Sequence, residues 1–191
     1  MFVDYTGVML VGLGAGFVVL AHYLYRNPER DERQAWAAAF FVSGLIGLVT
    51  SVPMILTWPL PSSYNIAFGE PALFLSVAYI GAAITLALKW EPLLPALFGF
   101  FGGLIALVVG ARIIDLGMTQ APLLSGLGYL SAGLGGCLTL PAINWRHIRW
   151  IALLAAILLG LAALVFLFTG YEAYWGHLAQ FAKWAPPTLS K

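Results

Sequence analysis

Long apolar runs broken by short polar stretches set the pattern of this chain. A membrane-spanning helix needs about 20 mostly apolar residues. Six runs meet that length closely enough: 5–25, 35–57, 72–88, 93–113, 122–143 and 148–169, the third being the shortest. The connections are short, so successive helices are expected to be antiparallel neighbours. The pattern therefore predicts an all-α membrane protein, a compact bundle of six transmembrane helices over residues 1–170. The remainder, 171–191, is rich in aromatic residues and too short to span. It reads as an interfacial tail ended by Pro186 and Pro187.

Composition sharpens this. The chain has 191 residues, 61% hydrophobic and only 9% charged. Soluble domains hold about 45–50% apolar and about 25% charged residues, so a soluble fold of this size has no place to hide the excess. A net charge of +1 argues against a nucleic-acid partner, which demands a basic face. The single cysteine, Cys137, excludes an intrachain disulfide and a CxxC redox pair. The first run lacks a basic leader and carries Asp4, so it reads as a permanent anchor rather than a cleaved signal.

Orientation follows from lysine and arginine, which concentrate in cytoplasmic loops. Arg26, Arg30, Arg33, Lys89, Arg146 and Arg149 fall in the odd-numbered loops. Arg112, Lys183 and Lys191 fall at the opposite end. The expectation is a cell inner-membrane protein with both termini outside. Trp58, Trp90, Trp145, Trp150 and Trp175 sit at segment ends, where amphipathic rings favour the interface. In "NPERDERQ", Asn27 suits a helix cap and Pro28 a first helical position, so the second helix is expected to start there with a solvated charged face.

Small residues recur at helical spacing: Gly12 and Gly16, then Ser43, Gly47 and Ser51, then Gly99, Gly103, Ala106 and Gly110, then Gly128, Ala132 and Gly136, then Ala156 and Gly160. In lipid, helices gain dispersion contacts by close approach at such faces. They serve packing within the bundle, or docking to a partner subunit or a second copy. Pro53 should kink the second helix, with Thr50 and Ser51 near enough to bond the freed carbonyls.

The chain has no phosphate-binding glycine loop, no HExxH and no GxSxG motif. No cofactor is expected. His22 and His147 would serve as haem or metal ligands only if they met at one depth of the bundle. The outer end gathers Asp4, Tyr64, Asn65, Glu70, Arg112 and Asp115. Arg112 and Asp115, three apart on a helix, can pair. Alternatively Arg112 turns inward to Glu70 or Asp4. The stretch 58–71, "WPLPSSYNIAFGEP", is long for a connector and keeps apolar side chains to bury. It is expected to form an ordered cap over the outer end, with Pro71 at the start of the third helix and Glu70 close to Arg112 beneath it.

"HYLYR" at 22–26 and "WPLPSSYNIAFGEP" at 58–71 resemble a family of small prokaryotic integral membrane proteins grouped as a domain of unknown function. A glycine commonly follows the second loop proline in that family; here the position is Ser62. The resemblance implies a membrane protein and no particular activity. Taken together, the residues suggest a non-catalytic accessory or assembly subunit of a membrane complex, with respiratory and other redox complexes among the candidates. The alternatives are a small-solute or ion transporter, and a lipid- or quinone-binding membrane enzyme.

Overall fold

The computed structural model describes residues 5–184. Among them are six α-helices and no strand: α1 (Tyr5–Arg26), α2 (Ala37–Thr57), α3 (Tyr64–Ala87), α4 (Leu93–Asp115), α5 (Pro122–Asn144) and α6 (Arg149–Gln180). All six are long and apolar enough to cross a membrane. In hydrocarbon every backbone polar group must be satisfied within the chain, and the helix does this for each segment alone.

The helices close into a ring. Each packs on its neighbours in sequence, and α6 returns to α1. Contacts fix all neighbours as antiparallel. A Cβ on Gly16 of α1 would meet Ser43 of α2, and one on Gly44 of α2 would meet Ile80 of α3. Gly103 and Gly110 of α4 face Gly133 and Gly126 of α5. Gly128 and Gly135 of α5 face Val165 and Leu159 of α6, and Gly170 of α6 faces Val11 of α1. Most of the predicted small-residue faces are thus consumed inside the bundle. Gly99 and Gly160 are the departures, with no neighbour within 4 Å of a built Cβ. The α3–α4 seam is the loosest side of the ring. It closes through Gly81 on Pro95, Phe74 on Gly102, and a Phe74–Phe98 contact at 6.2 Å.

Three boundaries differ from the sequence reading. Helix α3 begins at Tyr64, so the connection after α2 is only residues 58–63. The expected cap over 58–71 is mostly the first two turns of α3, and Pro71 lies inside the helix rather than at its start. Prolines and polar residues read as a loop, but a helix satisfies backbone groups that a long loop near lipid leaves open. Second, Asn27 does not start α2. It takes a left-handed φ of 47° and donates its N–H to Tyr23, ending α1. A short 3-10 helix (Arg33–Trp36) then leads into α2. Third, α6 runs on to Gln180, so the segment read as a tail from residue 171 starts as helix. Asp4, Pro186, Pro187 and Lys191 lie outside the described residues.

Pro53 sits inside α2 as expected. Thr50 bonds back to Ile46 and Gly47, and Ser51 to Leu48, so neither hydroxyl reaches the Val49 carbonyl that the proline leaves free.

Candidate functional site

The end of the bundle that carries the 58–63 connection holds the described residues predicted as an outer polar site, Tyr64, Asn65, Glu70, Arg112 and Asp115. These do not converge on one cluster. Asn65 is fully buried and organises the connection itself. Its side-chain oxygen accepts the Leu60 N–H at 2.9 Å, and its amide donates to the Leu60 and Ser62 carbonyls. That clamp holds Ser62 at a φ of 53°, the left-handed region that glycine adopts without strain. Tyr64 stacks on Phe68 and accepts the Thr119 N–H at 3.2 Å, tying this connection to the one between α4 and α5. Arg112 donates to Asp115 on its own helix, and both side chains are exposed. Glu70 is exposed on α3 and is not a partner of Arg112. The i,i+3 pair forms because it requires no change in helix position, whereas the inward alternative would desolvate a guanidinium.

Beside these groups lies a cleft of about 430 Å³. Its walls are the α4–α5 connection, the end of α6, and Leu10 and Phe68. Glu172, His177 and Gln180 line it on α6, because that helix continues beyond the length needed to span. Tyr129 and Phe166, 5.1 Å apart, form its floor.

The same two rings close one end of a second space, at the centre of the ring. This cavity has a volume of about 80 Å³. Helix α3 lines it from Pro71 to Leu86, which at 1.5 Å per residue is a length of about 22 Å. That volume is below the roughly 150 Å³ that admits one benzene, so over this length the space is a narrow apolar slot rather than a chamber for a whole ligand. Its lining is apolar, with side chains of Leu, Phe, Ala and Pro and the bare backbone of Gly99, Gly102 and Gly103. Leu75, Ala82, Pro95, Gly99 and Gly102 are only half-buried, so the slot reaches the bundle exterior along the loose α3–α4 seam.

Two hydroxyls at the slot have different fates. Tyr79 donates to the Gly16 carbonyl at 2.8 Å. Tyr23, at the other end from Tyr129, is buried, and its hydroxyl lies within reach of the Arg146 side chain. Tyr23 packs edge-on to Trp36 and Phe40, at 5.6 and 5.5 Å.

Around Tyr23 lies a polar cluster that the sequence reading missed. The charged stretch 27–34 was expected to be solvated, and Glu29, Arg30, Asp31 and Glu32 are exposed. Arg33 instead turns inward, donating to Glu91 at 2.5 Å and to the Pro28 carbonyl at 3.2 Å. Arg146 donates to the same Pro28 carbonyl at 2.6 Å, and Arg149 to the Leu24 and Tyr25 carbonyls. The last carbonyls of α1 have no partner within the helix, which is why Arg149, the first residue of α6, settles there. The apolar Trp36, four residues past the last acidic residue of the run, was the available signal that this segment folds back. His22 packs on Trp36 and is exposed, His147 is exposed, and neither lines the slot. No group of three or more potential metal ligands occurs among the described residues.

A ring of six apolar helices around a slot open at one seam defines the class, a helical membrane-type bundle. The chain belongs to the family described as a protein of unknown function (DUF981), whose pattern matches residues 1–180. No match was found among curated proteins or among solved structures.

Proposed function

We propose that this is a multi-pass inner-membrane protein whose α3–α4 seam admits the tip of a hydrocarbon chain of a lipid-like molecule, serving as a non-catalytic accessory subunit. The observation that carries the reading is the apolar slot whose wall is half-buried at the α3–α4 seam. A closed, well-packed bundle has no use for such a gap, since interiors pack with few voids. The lining offers ring edges and hydroxyls rather than acids or bases. An ion or polar solute would need polar groups near mid-depth. The Ala, Gly and Leu found there favour an apolar guest over transport of either.

Gly99 supplies the test. It lines the slot and has open space beside it. Gly99→Phe should fill the slot without a packing clash, leaving the melting temperature in detergent unchanged or raised. Gly160→Phe, placed on α6 in similarly open space but away from the slot, is the control. Mass spectrometry of solvent extracts from purified protein should show a bound lipid in wild type and Gly160→Phe. In Gly99→Phe it should fall by about tenfold or more, the effect of losing one good apolar contact set. Equal lipid in all three proteins would sink the reading.

The arginine-rich end is placed in the cytoplasm, with both termini outside, on the asymmetry of lysine and arginine. In a Cys137→Ala background, Gln120→Cys should react with an impermeant maleimide added to intact cells and Gln34→Cys should not. The reverse pattern would invert the orientation.

A further inference from the structure

Helix α6 has 32 residues, a length of about 48 Å at 1.5 Å per residue, against a hydrocarbon core of about 30 Å. Its surplus forms one wall of the cleft of about 430 Å³ at the end of the bundle that carries the 58–63 connection. The helix face that holds Phe166 and Thr169 continues as Glu172, Gly176 and Gln180, so it changes from apolar to polar along the cleft. The volume is well above the roughly 150 Å³ that admits one benzene, so a whole small ligand has room here. We propose that this cleft binds an ammonium group carried on a small apolar body, with Glu172 as its counter-ion and the Tyr129 and Phe166 rings beneath the body. The inference goes beyond the seam and does not depend on it.

Charge sets the sign of the ligand. Among the described residues Glu172 is the carboxylate that lines the cleft, and no lysine or arginine lines it. The ion pairs among those residues are Arg33–Glu91 and Arg112–Asp115, so none neutralises Glu172. Arg112, at this end of the bundle, is taken up by Asp115, and Lys183 lies past the end of α6 and outside the lining. The start of α5 brings about half a positive charge to one wall and the last turn of α6 about half a negative charge to the other. These oppose each other, and the unit charge of Glu172 decides. The aromatic floor adds attraction for a cation and none for an anion. The hydroxyls of Thr119 and Ser125 bond each other at 3.0 Å, and that of Thr169 bonds its own helix, so they do not select the head group.

The test uses the full chain in a maltoside detergent, which carries no charge, at pH 8, above the ordinary range of histidine, because His177 also lines the cleft. Benzyltrimethylammonium and phenylacetate, two ring-bearing probes of opposite charge, are titrated by calorimetry. Wild type should bind the ammonium probe more tightly. Glu172→Gln should weaken that binding about fivefold, the upper worth of one ion pair open to water, and leave phenylacetate unchanged or tightened. Gly176 lines the cleft, and a Cβ built on it meets nothing within 4 Å. Gly176→Leu should therefore weaken ammonium binding by a similar factor without lowering the melting temperature. Phosphatidylethanolamine added to the micelles distinguishes the sources: competition with the probe points to a lipid head group, and none to a free solute. No binding of the ammonium probe, or tighter binding of phenylacetate, overturns the proposal. Equal ammonium affinity in wild type and Glu172→Gln also overturns it, and so does undiminished affinity in Gly176→Leu, which would place the probe elsewhere.

Discussion

Gly103→Leu is expected to break the bundle. A Cβ at this position would lie 2.7 Å from the Cys137 nitrogen and 2.7 Å from the Gly133 carbonyl oxygen, both backbone atoms of α5. Backbone cannot rotate away as a side-chain tip can, so even Gly103→Ala must push α4 from α5. Overpacking of this kind costs about 1–3 kcal/mol. Leucine adds three more carbons to the same gap, and the loss should exceed the alanine value. The α4–α5 contact is the closest in the ring, and in lipid it is held by dispersion and weak polar contacts rather than by a hydrophobic drive. Separation by even 1 Å therefore removes much of what joins the two helices. The expected result is a melting temperature in detergent far below wild type, or failure to accumulate, for leucine, with alanine intermediate. Gly99→Ala, one turn away with open space beside it, should be neutral or slightly stabilising, because alanine is the better helix former. Gly103→Leu melting with wild type would mean that α4 and α5 do not meet at this face.

The contrast between Gly99 and Gly103 marks the limit of what the sequence discloses. Both glycines belong to one stripe at helical spacing, and the stripe correctly predicts a close crossing. Both glycines line the slot and both approach α5 with their backbones, but spacing alone cannot say that a Cβ on Gly103 would strike α5 while one on Gly99 would find open space. Six helices, their order and their short connections were legible because each apolar run must satisfy its backbone within itself. The start of α3 was not. Pro59, Pro61 and Pro71 carry the local signature of a loop, but Pro71 is tolerated seven residues into α3. Asn65 was picked out as a member of an outer polar site, and the structure shows it clamping the connection after α2.

The site was less legible than the fold. Arg112, Glu70 and Asp115 drew attention as charges at the edge of an apolar chain, and the pair that formed was the one within a single helix. The charged group that does leave water, Arg33, lay in a run of mixed charge where nothing local distinguishes it from Arg30. What distinguishes it is position relative to Glu91 and Pro28, far apart in sequence and brought together only by the ring. Tyr23 entered only as part of the "HYLYR" resemblance. Its burial beside Arg146 is visible only once its surroundings are assembled.

The central claim is that a lipid chain enters the ring through the α3–α4 seam, and stapling that seam tests it most directly. A Cβ on Gly81 would lie 3.7 Å from the Cβ of Pro95. Disulfides span Cβ separations of about 3.5–4.5 Å, so Gly81→Cys with Pro95→Cys, in a Cys137→Ala background, can close without moving either helix. The protein is loaded with a radiolabelled form of its co-purifying lipid and then challenged with unlabelled lipid, before and after oxidation, with closure of the disulfide verified by mass. The account predicts that the oxidised protein retains its label over a time in which the reduced protein exchanges fully, and that a reductant restores exchange. Equal exchange from the oxidised and reduced forms would contradict it.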